Sequence, residues 1–206
     1  MISVGLTGGI GSGKSVVSEM FKIFNIPTYN SDSQAKILME INTDIKNEII
    51  ELLGIAAYTE NLLNKQYIAS EIFLNNTLRN KLNNIVHKYV IQDFMKWINI
   101  QIKSDFVILE SAILFETGNE KINKFNITVI SPFELKFKRL KKRGMTDSDI
   151  NKRIASQWTD EQLIKLSDYI IVNDEQKLVS KQVLSIYKDI ISKINVTTHP
   201  QNYRSD

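Results

Sequence analysis

The chain contains no cysteine. Disulfides, thiolate metal sites and a cysteine nucleophile are therefore excluded, and a reducing compartment fits. Proline is scarce, with three residues, and glycine numbers eight. No proline falls between Ser33 and Ser104, where Gly54 is the only glycine. An excess of one charge is also missing: 26 Lys and Arg stand against 23 Asp and Glu, a net charge of +3. That is too little, and too scattered, to argue for a nucleic-acid partner. The longest apolar stretches, around residues 49–58 and 106–115, are interrupted by Glu51 or Glu110 and are too short to span a bilayer, so no membrane partner is expected. The first residues carry no basic start, apolar block or small-residue cleavage site; no signal peptide is expected, and a cytoplasmic location is. A chain of 206 residues reads as one compact domain, with room for an inserted lobe and a real core.

What glycine there is gathers near the amino terminus. Gly8 to Ser15 reads Gly-Gly-Ile-Gly-Ser-Gly-Lys-Ser and matches the phosphate-loop pattern G-x-x-x-x-G-K-S at every fixed position. An apolar run from Ile2 to Leu6 precedes it, and Val16, Val17, Met20, Phe21 and Phe24 follow at helical spacing, so the motif lies between a strand and a helix. Glycines let the backbone curl until its N–H groups face phosphate oxygens, and the helix adds its positive end. The expected nucleotide contacts are Gly8, Gly9, Gly11, Ser12, Gly13, Lys14, Ser15 and Val16. Lys14 is expected to reach the outer phosphates of ATP and the Ser15 hydroxyl to bind Mg2+. The plain alternative is a glycine-rich turn that binds nothing; the strand and helix at its flanks argue against it.

Residues 26–29 read as a second strand, ending in Asn30-Ser31-Asp32. Strand ends along one edge of a parallel sheet carry chemistry, so Asp32 is a candidate base for an acceptor hydroxyl. Asp32 or Ser31 also suits a helix cap, and the two roles are compatible. From Ser33 to Ser104 the spacing of Ile45, Ile49, Leu52 and Leu53, then Leu78, Leu82, Ile85, Val86, Tyr89 and Val90, predicts helices throughout. So large a helical block suggests a lobe for a second substrate. His87 lies in its middle and, on spacing alone, reads as packing, as do Tyr89, Phe94 and Trp97. The asparagine pairs here show no repeat.

Phe106 to Leu109 is the clearest buried strand and ends in Glu110, a candidate magnesium carboxylate; Glu116 is a further acid on the same edge. Residues 125–130 form a fourth strand, and Ser131-Pro132 opens a helix bearing Lys136, Lys138, Arg139, Lys141, Lys142 and Arg143 up to Gly144. Thr146 and Asp149 make a loose capping box for a new helix. This basic hairpin reads either as a solvated face or as a lid over the triphosphate, with Arg139 and Arg143 as the best-placed pair. Residues 168–172 form a fifth strand, and the Asn173 amide at its end is a candidate adenine contact. A closing helix is predicted over 178–194, followed by a polar, frayed tail containing His199-Pro200.

In this order the pieces resemble the dephospho-coenzyme A kinase family of phosphate-loop enzymes, over roughly residues 1–195. The resemblance rests on Gly5-Leu6-Thr7-Gly8-Gly9-Ile10-Gly11-Ser12-Gly13-Lys14-Ser15, on Asp32, on Ile85-Val86-His87, on the segment Glu110 to Glu116, on Arg139, Arg143, Arg153 and Gln157, and on residues 167–173. It implies transfer of the terminal phosphate of ATP to the ribose 3′-hydroxyl of dephospho-coenzyme A. Carried over, Asp32 is the base, Lys14, Arg139 and Arg143 serve catalysis, and Thr7, His87 and Glu116 serve the acceptor. The chain departs from the family at Asn30, Lys88, Ala112, Val172 and Glu175.

The expected architecture is α/β: a three-layer phosphate-loop kinase fold with a five-stranded parallel sheet, a helical substrate lobe and a lid. Within one kinase domain, residues 1–32 and 105–195 form the nucleotide-binding core, 33–104 the acceptor lobe, 139–158 the lid and 196–206 a flexible tail. The chain is expected to be a monomer or weak homo-oligomer. Two rival readings are a kinase of this fold acting on a nucleoside monophosphate or another hydroxyl acceptor, and a nucleotide-binding switch protein. The latter lacks an N-K-x-D guanine-reading stretch and a D-x-x-G switch. A helical scaffold with a vestigial loop is the third.

Overall fold

The computed structural model describes residues 1–73 and 75–198. The first unit comprises residues 1–29 and 101 onward, and the second Asn30–Ile100. Five strands make the main sheet: β1 (Ile2–Thr7), β2 (Thr28–Asn30), β5 (Phe106–Glu110), β6 (Phe125–Ile130) and β7 (Tyr169–Val172). Their order is β2-β5-β1-β6-β7, with β1 in the middle. Val4 lies between Ile108 of β5 and Phe125 of β6, and both pairings are parallel. Such strands are covered on both faces, which is why β5 reads as an unbroken apolar run and is buried along its whole length.

Helix α1 (Lys14–Ile23) buries Val17 and Phe21, and α9 (Val179–Thr198) buries Val183, Ile186, Ile190 and Ile194 at steps of three or four. These side chains share one core with Val4, Leu6, Ile108 and Ile127 of the sheet. Phe21 meets Phe106 edge to face, with ring centroids 6.2 Å apart. Each side chain buried in this way contributes about 1.5–3 kcal/mol.

The unit Asn30–Ile100 contains α2 (Ser31–Ile41), α3 (Thr43–Leu53), α4 (Lys65–Phe73) and α5 (Asn76–Asn99). Its core is Ile45, Ile49, Leu53, Ala57, Tyr58, Ile68 and Leu82. The asparagines have a positional logic that composition hid. Asn30, Asn42 and Asn75 are N-caps, accepting from the N–H of Ser33, of Asp44 and Ile45, and of Leu78.

The helical reading of 33–104 fails after α5, where residues 100–104 are not helical, and in the stretch before α4. Between α3 and α4 the chain forms a small antiparallel hairpin of β3 (Tyr58–Thr59) and β4 (Leu62–Leu63). Its tip, Glu60 and Asn61, has φ of 51° and 69°, the left-handed pair that a tight two-residue hairpin turn needs. No Asn-Gly marks it in the sequence.

The remaining helices are α6 (Phe133–Lys142), α7 (Asp147–Ala155) and α8 (Asp160–Lys165). Gly144, at φ 83°, ends the run after α6, and the Thr146 hydroxyl accepts from Asp149 N–H to start α7. Pro132 precedes the first turn of α6 as its cap residue rather than lying within it. Helix α9 continues to Thr198, so the residues just after Ile194 are helical rather than frayed; His199-Pro200 and the rest of the expected tail lie outside the described residues. Among the described residues no helix is long and apolar enough to cross a membrane.

Candidate active site

The phosphate loop follows directly from β1. Gly8, Gly11 and Gly13 adopt φ of 145°, 80° and 102°, where side chains are strained. Space adds a second reason: a Cβ at Gly8 would collide with the Val129 carbonyl, and one at Gly13 with the Asn173 amide. The loop closes on itself through Ser12 N–H donating to Gly9 O at 3.1 Å, and α1 starts with Val16 N–H donating to Gly13 O at 3.0 Å. Lys14 Nζ folds back to donate to Gly8 O at 2.7 Å. Val16 and Ser15 are exposed in the first turn. The positive end of such a helix makes the spot anion-seeking. Thr7 is fully buried at the end of β1, opposite Thr128, and its hydroxyl and that of Ser12 have no hydrogen-bond partner.

Arg139 lies on α6 and braces the loop from the protein side: Nη1 donates to Gly11 O at 3.2 Å and to Ser131 Oγ at 3.0 Å, and Nη2 to Asn173 Oδ1 at 3.2 Å. Asn173 in turn donates from Nδ2 to Ser12 O at 2.8 Å. Its amide thus ties the loop to Arg139. Arg143 sits one residue past α6 and is exposed.

Lys136 also departs from the basic-face reading. It shares the buried side of α6 with Leu140, and its Nζ donates to both carboxylate oxygens of Asp160, at 2.6 and 2.7 Å. The available signal was its position four residues before Leu140. A cavity of about 700 Å³ opens beside this pair, with Gly9, Ile10, Phe133 and Trp158 among its walls.

Glu110 ends β5 in register with Leu6 and is buried, at 5% exposure. Glu116 accepts from Trp158 N–H at 3.3 Å through Oε1, while Oε2 is buried without a partner. Among the described residues no three His, Asp or Glu side chains gather as a metal site. The hydroxyl of Ser15 and the carboxylate of Glu110 are hard oxygen donors. So sparse a set suits Mg2+, which keeps several waters and takes phosphate oxygens for the rest of its shell. Gln157 is the residue whose role the spacing did not show: its Oε1 accepts from Ile10 N–H at 2.7 Å, and its Nε2 donates to Ala112 O at 3.2 Å.

In the helical unit, Asn30 rather than Asp32 or Ser31 is the cap of α2. Asp32 is in the first turn, where a carboxylate is favoured by the helix dipole but is not consumed by capping. His87, half-buried on α5, feels its charge. Burial holds the imidazole below its ordinary value of 6.5, and Asp32 partly offsets that.

A glycine-walled loop at the head of a helix can hold phosphate, and known proteins share the sequence around it. A family model described as dephospho-CoA kinase matches residues 2–178. The chain belongs to the dephospho-CoA kinase family. The dephospho-CoA kinase of Bacteroides fragilis is 32% identical over 202 residues, covering 98% of this chain and 98% of that protein. That of Porphyromonas gingivalis is 34% identical over 195 residues, covering 94% and 96%. Among solved structures, the dephospho-CoA kinase from Campylobacter jejuni matches with a TM-score of 0.66 at 21% identity, over 91% of this chain and 96% of that one. The Thermus thermophilus protein TT1252 matches with a TM-score of 0.82 at 24% identity, over 92% and 97%. At these identities the structural likenesses establish the fold, and the sequence matches establish the family.

Proposed function

We propose that the protein acts as a dephospho-CoA kinase, transferring the terminal phosphate of ATP to the ribose 3′-hydroxyl of dephospho-CoA to give coenzyme A. The observation that carries this reading is the glycine-walled loop at the head of α1, within a chain matched to this family over residues 2–178. ATP and dephospho-CoA are the small-molecule substrates of this kinase family.

The chain's own residues divide the work. Backbone N–H groups of Gly11, Gly13, Lys14 and Ser15 orient the triphosphate, and Lys14 supplies a cation beside its outer phosphates. Arg139 holds the loop's curvature and adds charge behind it. Arg143 is the exposed arginine left to meet the transferring group. Asp32 orients the acceptor hydroxyl and takes its proton as the phosphoryl departs from ATP. His87, close enough to feel Asp32, serves the acceptor side and stays neutral near pH 7. Thr7 and Glu116 act on that side by shaping the loop and the segment after β5. When bound, Mg2+ neutralises charge on the phosphates; Ser15 and Glu110 are the residues that would hold it. The enzyme works in the cytoplasm as a monomer or weak homo-oligomer, without a nucleic-acid partner.

The test is a panel of acceptors with ATP labelled in its terminal phosphate. Label is expected in dephospho-CoA; label in a nucleoside monophosphate, with none in dephospho-CoA, would assign a different kinase activity.

A further inference from the structure

We infer that Gln157 is a positioning residue for phosphoryl transfer, setting the peptide between Gly9 and Ile10 and tying it to the segment after β5. The inference rests on the kinase reading above. A loop of glycines has few side chains with which to hold its own shape, so its curvature depends on what grips its backbone. Gln157 grips it from 147 residues away: its side-chain oxygen accepts the Ile10 N–H at 2.7 Å. The same amide donates to Ala112 O at 3.2 Å. One side chain thus spends an acceptor on the nucleotide loop and a donor on the stretch between Glu110 and Glu116.

Neighbouring contacts hold this bridge in place. Trp158 N–H donates to Glu116 Oε1 at 3.3 Å, and Asp160 takes the Lys136 ammonium at 2.6 Å. Lys136 Nζ lies 3.4 Å from where a Gly9 Cβ would be, so the anchor is beside the loop. Gln157 is therefore fixed from both sides and can transmit that order to Ile10. Its consequence for ligand binding is specific: the Ile10 N–H points at protein rather than at phosphate. The remaining loop donors are aimed by that constraint.

The bridge needs a donor and an acceptor on one planar group, and this makes it testable. Gln157→Met keeps length and removes both bonds. Gln157→Glu keeps the acceptor for Ile10 but, when ionised, has nothing to give Ala112 O; protonated, it regains the donor. The full chain is assayed with ATP, magnesium and dephospho-CoA, alongside hydrogen exchange of the Ile10 amide and thermal melting. For Gln157→Met, kcat is expected to fall about 10–100-fold, the scale set by misplacing a reacting group. KM for ATP and the melting temperature change little, and Ile10 exchanges faster. The kcat of Gln157→Glu relative to wild type is expected to rise as pH is lowered toward its carboxyl pKa, about 4.3 unperturbed. Wild-type kcat in Gln157→Met, or unchanged Ile10 exchange, overturns the inference. So does a loss that follows melting temperature and is equal in both variants at every pH. The exchange measurement needs no acceptor, so a wild type that fails to phosphorylate dephospho-CoA counts against the kinase reading alone.

Discussion

Asn173 Nδ2 donates to Ser12 O at 2.8 Å, which joins the end of β7 to the loop that follows β1. The strand between them, β6, is thereby spanned by a side chain, and Gly13 has no room for a methyl group beneath that amide. Gly13→Ala therefore pushes a side chain into both a left-handed backbone and Asn173. The backbone strain alone is about 2 kcal/mol, or about 4–8 °C of melting temperature in a chain of this size. A thermal melt with and without ATP reads both effects: a lower midpoint and loss of the ATP-induced rise. An alanine variant that melts and binds like wild type would show that the loop does not depend on this contact.

Asp32 is not the cap of α2, because Asn30 does that work, so Asp32→Asn removes charge and leaves the cap hydrogen bond in place. Losing a general base costs about 10²–10⁴-fold in kcat, with KM for ATP expected to stay within a small factor. Steady-state kinetics with varied ATP decide this. Full turnover by the asparagine variant would remove Asp32 as the base.

Asp160→Ala strands the Lys136 ammonium, whose side chain is 10% exposed against 24% for Asp160. Breaking one side of a buried pair costs about 3 kcal/mol, and the partial exposure of Asp160 puts this pair at or below that figure. Urea unfolding should show the loss, and the double variant Lys136→Met with Asp160→Leu should regain most of it. A midpoint unmoved by Asp160→Ala would mean that the pair is already solvated.

The strand, loop and helix around Gly8 to Ser15 were legible because their requirements are local. A phosphate loop needs glycines, a lysine and a serine at set intervals between a strand and a helix, and Gly8 to Ser15 states all of them in one stretch. The sheet was legible for a similar reason, since β5 and β6 are short apolar runs bounded by polar turns. What escaped were contacts between residues far apart in the chain. Lys136 looked like one more surface cation because its partner is 24 residues away, and Gln157 meets Ile10 across 147. The β3–β4 hairpin escaped because Glu60 takes a left-handed φ that its residue type does not advertise. Asn30 hid in plain view: a helix cap was expected there, but Asp32 and Ser31 competed for it.

His87 gives stability a pH dependence. Burial lowers its pKa in the folded chain below the ordinary 6.5, so between the two values the unfolded chain binds more protons. Its neutral form contributes full stability above about 6.5. That contribution is lost as pH falls from there toward the folded value. Melting temperatures of wild type and His87→Gln between about pH 5 and 7.5 are expected to diverge downward, with wild type falling more steeply. Parallel curves would show that His87 titrates as if unfolded.

The central claim is that the chain moves the end phosphate of ATP to one particular hydroxyl. The most direct measurement incubates the purified protein with ATP, magnesium and dephospho-CoA, then locates the new phosphate by mass and by phosphorus–proton correlation. The account predicts a product heavier by one phosphate group, coupled to the ribose 3′ proton. An unchanged acceptor after ATP is shown to bind, or a phosphate on any other oxygen, would contradict it.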